Sequence, residues 1–249
     1  MRQKNSYSRI IQNLEFWEPL SNGGKIRLFH HSIEKGITSF YLDHSRLKLP
    51  SSGLGNALSE SGLSRDEIQL IVSTLPEGDL QQEVGRILDF FETDYLDLLI
   101  PTGESEGLLP VLDQLHYQGK IVETGIRVKK AGEESGYAGK LPVWATLSEF
   151  RPEPAALKLL AAMENPEHEI SEILLLKEPL LHFEPEKISL FCDKVGLSPE
   201  EVVLTWILQH ERNFHTIVRA DSEVKIDSAH KALHTHLIGD DWNKLPWNL

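Results

Sequence analysis

The chain of 249 residues has little cysteine and few basic residues, and each shortage excludes something. Its single cysteine, Cys192, excludes an internal disulfide and is typical of a reducing compartment. Lys and Arg total 25 against 38 Asp and Glu, and the resulting charge of -13 disfavours contact with a nucleic-acid backbone. No apolar run approaches the roughly 18 residues of a membrane span, and residues 1–16 lack the apolar stretch of a signal peptide. We therefore expect a cytoplasmic protein that binds neither nucleic acid nor a membrane.

Short apolar runs alternate with longer amphipathic stretches along the whole chain. The runs predict eight strands, at residues 9–16, 37–42, 68–73, 95–100, 121–127, 142–147, 172–176 and 214–218. The amphipathic stretches predict helices at residues 24–35, 54–61, 80–92, 108–118, 154–163, 185–195, 199–212 and 222–236. The clearest helix start combines Ser198 as cap, Pro199 at the first helical position and Glu201 reaching back.

Alternation of strand and helix implies a parallel sheet, and eight such units fit one closed barrel. The sequence therefore predicts an α/β fold, a (β/α)₈ TIM barrel formed as a single domain by residues 1–249, with Leu and Val filling its interior. Residues 129–141 are rich in glycine and charge and carry no full helical pattern. The sequence therefore leaves open whether one crossover helix is reduced to a loop at that point.

Five segments in order along the chain carry a family likeness. They are GITSF at residues 36–40, TDYLDLLI at 93–100, GKIVETGI at 119–126, SPEEVVLTWIL at 198–208 and TIVRADSEVKI at 216–226. Together they resemble the aldo-keto reductases over roughly residues 25–236. The resemblance implies a barrel that binds NADPH at its C-terminal mouth and passes hydride to a carbonyl group.

The resemblance also implies a catalytic Asp, Tyr, Lys and His, and none of the four is present. Tyr41 stands where the Asp is expected, Arg46 where the Tyr is expected and Leu75 where the Lys is expected. The His position falls on Thr102, or on Pro101 if the register slips by one. Losing the general acid alone removes about 10² to 10⁴ in rate, so we assign no catalytic residue and expect a degenerate enzyme.

The cofactor contacts that the resemblance implies are partly kept. The polar residues that hold the nicotinamide carboxamide are replaced, by Arg127, Val128 and Leu147. At the adenosine-phosphate end the basic positions are filled by Arg219 and Lys225, which we take as the candidate cofactor-binding residues. A basic pair beside a helix N-terminus can hold an anion, although two solvated surface charges are an equally good interpretation. We expect NADPH binding to be weak or lost.

A barrel also gathers the residues that follow its strands around one mouth. Asp43 and His44 could supply acid–base groups there, and Arg127 with Arg151 could clamp a carboxylate or phosphate, but ion pairs that cover a barrel end are the favoured interpretation. The other polar residues of this rim are Tyr41, Glu77, Thr102, Glu104, Lys129, Glu149, Lys177, Glu178 and Arg219.

Three histidines, His230, His234 and His236, lie close together in the sequence. Two histidines four apart on a helix can share a metal, but no carboxylate or cysteine with a familiar ligand spacing accompanies them. We assign no metal.

Three functional hypotheses follow. The first is a barrel that has lost hydride transfer and serves as a ligand-binding or regulatory protein for a small or phosphate-bearing molecule. The second is an active NADPH-dependent oxidoreductase with substitute acids such as Tyr41 or His44. The third is a non-catalytic subunit whose acidic surface and C-terminal Trp242 and Trp247 serve association with an unidentified protein.

Overall fold

The computed structural model describes residues 7–44, 53–74, 79–101, 107–127, 143–149, 173–177, 185–209 and 214–237. Eight strands lie in these ranges, and we number them β1 to β8. They are Ile10–Asn13, Ser39–Asp43, Gln69–Thr74, Leu96–Pro101, Ile121–Arg127, Val143–Glu149, Ile173–Lys177 and Phe214–Val218.

The eight strands close into a barrel in chain order. Every neighbouring pair is parallel, and β1 completes the ring by pairing with both β2 and β8. At the closure Ile11 of β1 lies opposite Ser39 on one side and Ile217 on the other. The (β/α)₈ barrel predicted from the sequence is confirmed.

Seven α-helices occur in the described ranges, and we number them α1 to α7. They are Asn22–Glu34, Leu54–Ser61, Leu80–Phe91, Leu109–Tyr117, Pro185–Val195, Pro199–Leu208 and Glu223–His234. The Ser198 cap forms as expected, because its hydroxyl accepts from the Glu201 amide and the Glu201 carboxylate accepts from the Ser198 amide. The helix predicted at residues 154–163 and the open question at residues 129–141 lie outside the described residues.

Strand β1 is shorter than the sequence predicts. The prediction ran from residue 9 to residue 16, whereas β1 ends at Asn13 and a 3₁₀ helix, Leu14–Trp17, follows. The Asn13 side chain accepts a hydrogen bond from the Glu15 amide, which caps this turn. The apolar residues that resembled a longer strand therefore belong to the turn, and Trp17 lies buried against Phe29 and Phe40.

Two apolar cores flank the strands. The larger lies between strands and helices, and the smaller fills the barrel with Tyr7, Ile11, Tyr41, Ile71, Leu98, Ile100 and Ile217. Among the described residues this inner core therefore consists mainly of isoleucine and tyrosine, whereas we expected Leu and Val. Tyrosine is tolerated because each of the two hydroxyls finds a polar partner inside the barrel.

The helix layer is closely packed where α2 meets α3. A Cβ placed on Gly55 of α2 would overlap the carbonyl oxygen of Phe90 in α3. Only glycine lets the two helices approach this closely.

The end of the barrel where the strands begin, which we call the closed end, contains a buried phenol–carboxylate pair. The Tyr7 hydroxyl donates to the Glu123 carboxylate at 2.6 Å, and both residues are buried. Burial first, and then the Glu123 charge, raise the pKa of Tyr7 far above its usual range. His215 donates from Nδ1 to the carbonyl oxygen of Ser8 at 2.8 Å, which holds the segment before β1 against β8.

Other buried polar side chains at the closed end are paired as well. The Gln69 carbonyl oxygen accepts from the hydroxyls of Thr38 and Ser39, at 2.7 and 3.0 Å. Arg65 forms a 2.5 Å ion pair with Asp97, whose side chain is 1% exposed, and also donates to two backbone carbonyl oxygens. The polar groups named here therefore stabilise the barrel through satisfied hydrogen bonds.

None of the helices in the described ranges is both long enough and apolar enough to span a membrane.

Candidate functional site at the mouth of the barrel

Function in a (β/α)₈ barrel sits at the end where the strands finish, so the candidate site is sought there. The described polar side chains considered at this end come from β1, β2 and the residue after it, β3, the first turn of α3 and the segment after β8. They form three groups, taken in turn: a buried polar set, a histidine–carboxylate pair and a cluster of two cations with one carboxylate.

The buried set, which we call the mouth floor, consists of Asn13, Tyr41, Asp43 and Ser73. Asn13 lies opposite Tyr41, and Asp43 lies opposite Ser73, so the four residues share the upper part of three adjacent strands. Each is at most 1% exposed. A buried carboxylate such as Asp43 requires compensation, so this floor is polar rather than a simple continuation of the apolar core.

Tyr41 occupies the position where the family resemblance implies an aspartate. Its ring belongs to the inner core, and its hydroxyl forms a 2.6 Å hydrogen bond with the Ser73 hydroxyl, in which either oxygen can be the donor. The residue is fully buried. A phenol held in this way fills the barrel and offers no exposed proton to a substrate.

Asn13 leaves one polar group unsatisfied. Its Oδ1 accepts from the Glu15 amide, while its Nδ2 has no hydrogen-bond partner in the structure of the residues described. An orphaned buried donor costs about 1–3 kcal/mol, so such groups are uncommon unless water or a ligand completes them. The mouth floor therefore has a free hydrogen-bond donor.

His44 follows β2 and is paired with a carboxylate from a different element. Its backbone amide donates to the Ser73 carbonyl oxygen at 2.8 Å, and its Nδ1 lies 2.8 Å from Oε1 of Glu83 in the first turn of α3. The His44 side chain is 23% exposed. The bond to Glu83 holds the His44 imidazole in one orientation beside the first turn of α3.

The two candidate cofactor residues meet at one carboxylate. Lys225 Nζ lies 2.7 Å from Asp221 Oδ1, and Arg219 Nε lies 3.4 Å from Asp221 Oδ2. Arg219 also lies over the Phe16 ring at 4.4 Å, and the Ser222 hydroxyl caps α7 by accepting from the Lys225 amide. The structure thus brings Arg219 and Lys225 together at the start of α7, with Asp221 between them.

Asp221 changes the electrostatics of this cluster. Although its partial burial would raise the pKa of the carboxyl, the hydrogen bond and charge of Lys225 and the charge of Arg219 lower the pKa below its usual range. Asp221 is therefore ionised at neutral pH, and the three side chains carry a net charge of about +1 instead of +2. An incoming phosphate must compete with this internal carboxylate.

The structure leaves part of the sequence-based site untested. Arg127, Leu147, Glu149 and Lys177 are placed on their strands without a described side chain. The residues that lie outside the described part are Arg46, Leu75, Glu77, Thr102, Glu104, Val128, Lys129, Arg151, Glu178, Trp242 and Trp247.

Sequence reasoning missed Glu83, Asp221 and the free amide of Asn13. Asp221 had a usable signal, because it precedes Lys225 by four residues and such pairs meet at a helix start. No such sequence signal existed for Glu83, because it lies 39 residues from His44 and only the packing of α3 on the barrel brings the two together.

The described residues contain no group of three or more His, Cys, Asp or Glu side chains that could hold a metal. Cys192 is buried and unpaired, and burial raises the pKa of its thiol. A reactive thiolate is therefore disfavoured at this position.

No protein-family model matches the sequence, and no curated protein matches it. Solved structures do match. A thermostable aldo-keto reductase in complex with the inhibitor epalrestat has a TM-score of 0.82 at 16% identity, with 98% of this chain and 96% of that chain covered. An aldo-keto reductase from Klebsiella pneumoniae in complex with NADPH has a TM-score of 0.79 at 14% identity, with 96% of this chain and 90% of that chain covered. One from Brucella melitensis has a TM-score of 0.77 at 15% identity, covering 97% and 95%.

Likenesses at 14–16% identity establish the fold, and that fold is the one seen in aldo-keto reductases. The fold expected from the five sequence segments is thereby confirmed.

Proposed function

We propose that this chain is a member of the aldo-keto reductase family that has lost hydride transfer and acts as a ligand-binding or regulatory barrel. The observation that carries the proposal is the mouth floor. Tyr41 is locked against Ser73 where the family resemblance implies a catalytic aspartate, while Asn13 keeps an unpaired donor for a bound molecule. The ligand is a small polar or phosphate-bearing molecule. The single cysteine supports a cytoplasmic location.

The described residues fit NADPH poorly. At the phosphate end, Asp221 already neutralises one of the two cations. At the position where the family resemblance implies a carboxamide contact, the sequence has Leu147, a residue type without a hydrogen-bonding group. Hydride transfer is therefore not part of the proposed function, and we expect any dinucleotide to bind weakly, with a dissociation constant of about 0.1–1 mM.

The test combines activity with binding. With NADPH and simple aldehydes, we expect no oxidation of NADPH above background. Adenosine 2′,5′-bisphosphate should bind more tightly than adenosine. Its affinity should fall in Arg219→Ala, and it should also fall as the salt concentration rises past about 0.15 M, because the attraction is electrostatic. A turnover number near 10 per second, about the median for enzymes, would contradict the proposal. Equal binding of the two ligands would mean that Arg219 and Lys225 are only surface charges.

The His44–Glu83 pair favours a second candidate, an active oxidoreductase in which His44 is the substitute acid. Its partly exposed imidazole and its bond to Glu83 at 2.8 Å suit proton transfer. This candidate predicts measurable NADPH-dependent carbonyl reduction that falls by about 10²-fold or more in His44→Ala. His30→Ala, which changes an exposed histidine of α1, is the matched control and should leave the rate unchanged.

A further inference from the structure

The last turns of α7 carry two histidines on one face. His230 and His234 are four residues apart, and their ring centroids lie 4.6 Å apart at an interplanar angle of 66°. His230 is half-buried and His234 is exposed. Helical residues at this spacing are neighbours along the surface, so one ion can contact both imidazoles.

A backbone contact fixes the tautomer of His230. Its Nδ1 lies 3.1 Å from the carbonyl oxygen of Lys35, at the end of α1. A carbonyl oxygen only accepts, so Nδ1 carries the hydrogen, and Nε2 of the neutral ring keeps its lone pair. Metal-ligating histidines are usually oriented by this kind of bond from the second nitrogen to a carbonyl or carboxylate.

The neighbouring charges are already matched. Lys231 pairs with Glu201 of α6 at 3.0 Å, and Lys35 pairs with Asp227 at 2.8 Å. Neither His230 nor His234 forms an ion pair in the described part of the chain. No carboxylate therefore competes for these imidazoles, and the nearest cations are neutralised by partners of their own.

We propose that His230 and His234 together bind a divalent transition-metal ion, Zn²⁺ in particular, through one ring nitrogen each. Imidazole nitrogen is a preferred ligand of zinc, at about 2.0–2.1 Å. Water completes the coordination shell, because the described residues supply no third ligand. The sequence spacing alone left this pair without an assignment, and the Lys35 contact is the new observation. The site is independent of the mouth and of the function proposed for it.

The experiment is isothermal titration of the full-length protein with ZnCl₂, in a buffer that does not bind the ion. The variants are His234→Ala and His230→Asn, and the matched control is His236→Ala. His236 is a nearby exposed histidine whose Nδ1 accepts from the Gln209 amide. Circular dichroism verifies that each variant is folded. The copper complex adds a spectroscopic readout, since electron paramagnetic resonance reports the nitrogen ligands directly.

We expect one Zn²⁺ per chain, with affinity falling at least about tenfold in His234→Ala and in His230→Asn, because the second imidazole acts at high effective concentration. His236→Ala should bind like the wild type, and the copper spectrum should change from two nitrogen ligands to one in His234→Ala. No binding at millimolar Zn²⁺, or binding unchanged when either His230 or His234 is replaced, would overturn the proposal.

Discussion

The buried polar side chains named at the closed end of this barrel differ from the amide side chains of strand β1 in how well their hydrogen bonds are satisfied. At the closed end, Tyr7 is paired with Glu123, Arg65 with Asp97, and Gln69 with two hydroxyls. In the mouth floor, the Nδ2 of buried Asn13 has no hydrogen-bond partner within the described structure, and neither do the two amide atoms of buried Gln12, which lies on the outer face of the same strand opposite Phe40 and Val218. Satisfied groups stabilise a fold, whereas unsatisfied buried groups cost stability. The contrast teaches that the described closed-end side chains stabilise the barrel through hydrogen bonds, whereas strand β1 carries two amide side chains with unsatisfied groups.

The largest effect should come from breaking an ion pair at the closed end. In Arg65→Ala, Asp97 stays buried and loses the Arg65 guanidinium while the Leu70 amide still donates to it, and we expect a loss of about 3 kcal/mol in the free energy of unfolding. Arg65→Lys should lose less, because it keeps the charge but not the forked geometry. Urea denaturation measures both. If Arg65→Ala lowers the free energy of unfolding by less than about 1 kcal/mol, the Arg65–Asp97 ion pair does not contribute the expected stability at the closed end.

Tyr7→Phe should cost about 1.5–3 kcal/mol, since it removes a buried hydrogen bond to a carboxylate. Tyr117→Phe changes a tyrosine that is 93% exposed and should be neutral, which makes it the matched control. Thermal unfolding at pH 7 distinguishes the two. An equal effect of the two substitutions would show that the Tyr7–Glu123 hydrogen bond does not stabilise the closed end.

The same residue gives the closed end a pH dependence at alkaline pH. Burial and then the Glu123 charge raise the pKa of Tyr7 in the folded state, so above about pH 10 the unfolded chain releases this proton and the folded chain retains it. The contribution of Tyr7 is therefore complete below about pH 10 and is lost as pH rises further, at up to about 1.4 kcal/mol per pH unit. The wild type should lose stability between pH 10 and 11 more steeply than Tyr7→Phe. Parallel curves would contradict this.

Two buried glutamines provide the sharpest contrast. Gln69→Met at the closed end should cost about 1–3 kcal/mol, because two hydroxyls lose their acceptor. Gln12→Met, near the end of β1, should be neutral or stabilising by up to about 1 kcal/mol, because it removes an amide without partners. Paired urea titrations test the signs. If both substitutions destabilise equally, satisfied and unsatisfied groups do not differ in this barrel.

The smallest effect on stability is expected at the mouth rim. Asp221→Asn should change the free energy of unfolding by less than about 1 kcal/mol, because its ion pairs are partly exposed. Its effect on binding should be larger: the affinity for adenosine 2′,5′-bisphosphate should rise roughly tenfold, which corresponds to 1.4 kcal/mol. Adenosine, which has no phosphate, is the control ligand. An unchanged affinity would show that Asp221 does not compete with phosphate.

The fold could be predicted from sequence because strand and helix periodicities alternate without interruption. Helices α2 and α5 match the predicted bounds, residues 54–61 and 185–195. The end of β1 could not be predicted, because the Asn13 cap replaces strand pairing with a local hydrogen bond. The two inner tyrosines were also missed, since burying a phenol depends on partners brought by other strands.

The candidate site was predictable only where neighbours in sequence are neighbours in space. Arg219 and Lys225 flank one helix start, and their proximity was expected. The His44–Glu83 pair and the free Asn13 amide depend on how separate elements pack, and no local pattern encodes them.

The pairing of β1 with β8 has a consequence for synthesis on the ribosome. Ile10–Asn13 has one neighbour in β2, but its second neighbour, Phe214–Val218, is made some 200 residues later. At about 5–20 residues per second, the edge of β1 stays open for roughly 10 to 40 seconds. An exposed strand edge is a template for wrong pairing, so this interval is when the nascent β1 is most exposed to mispairing.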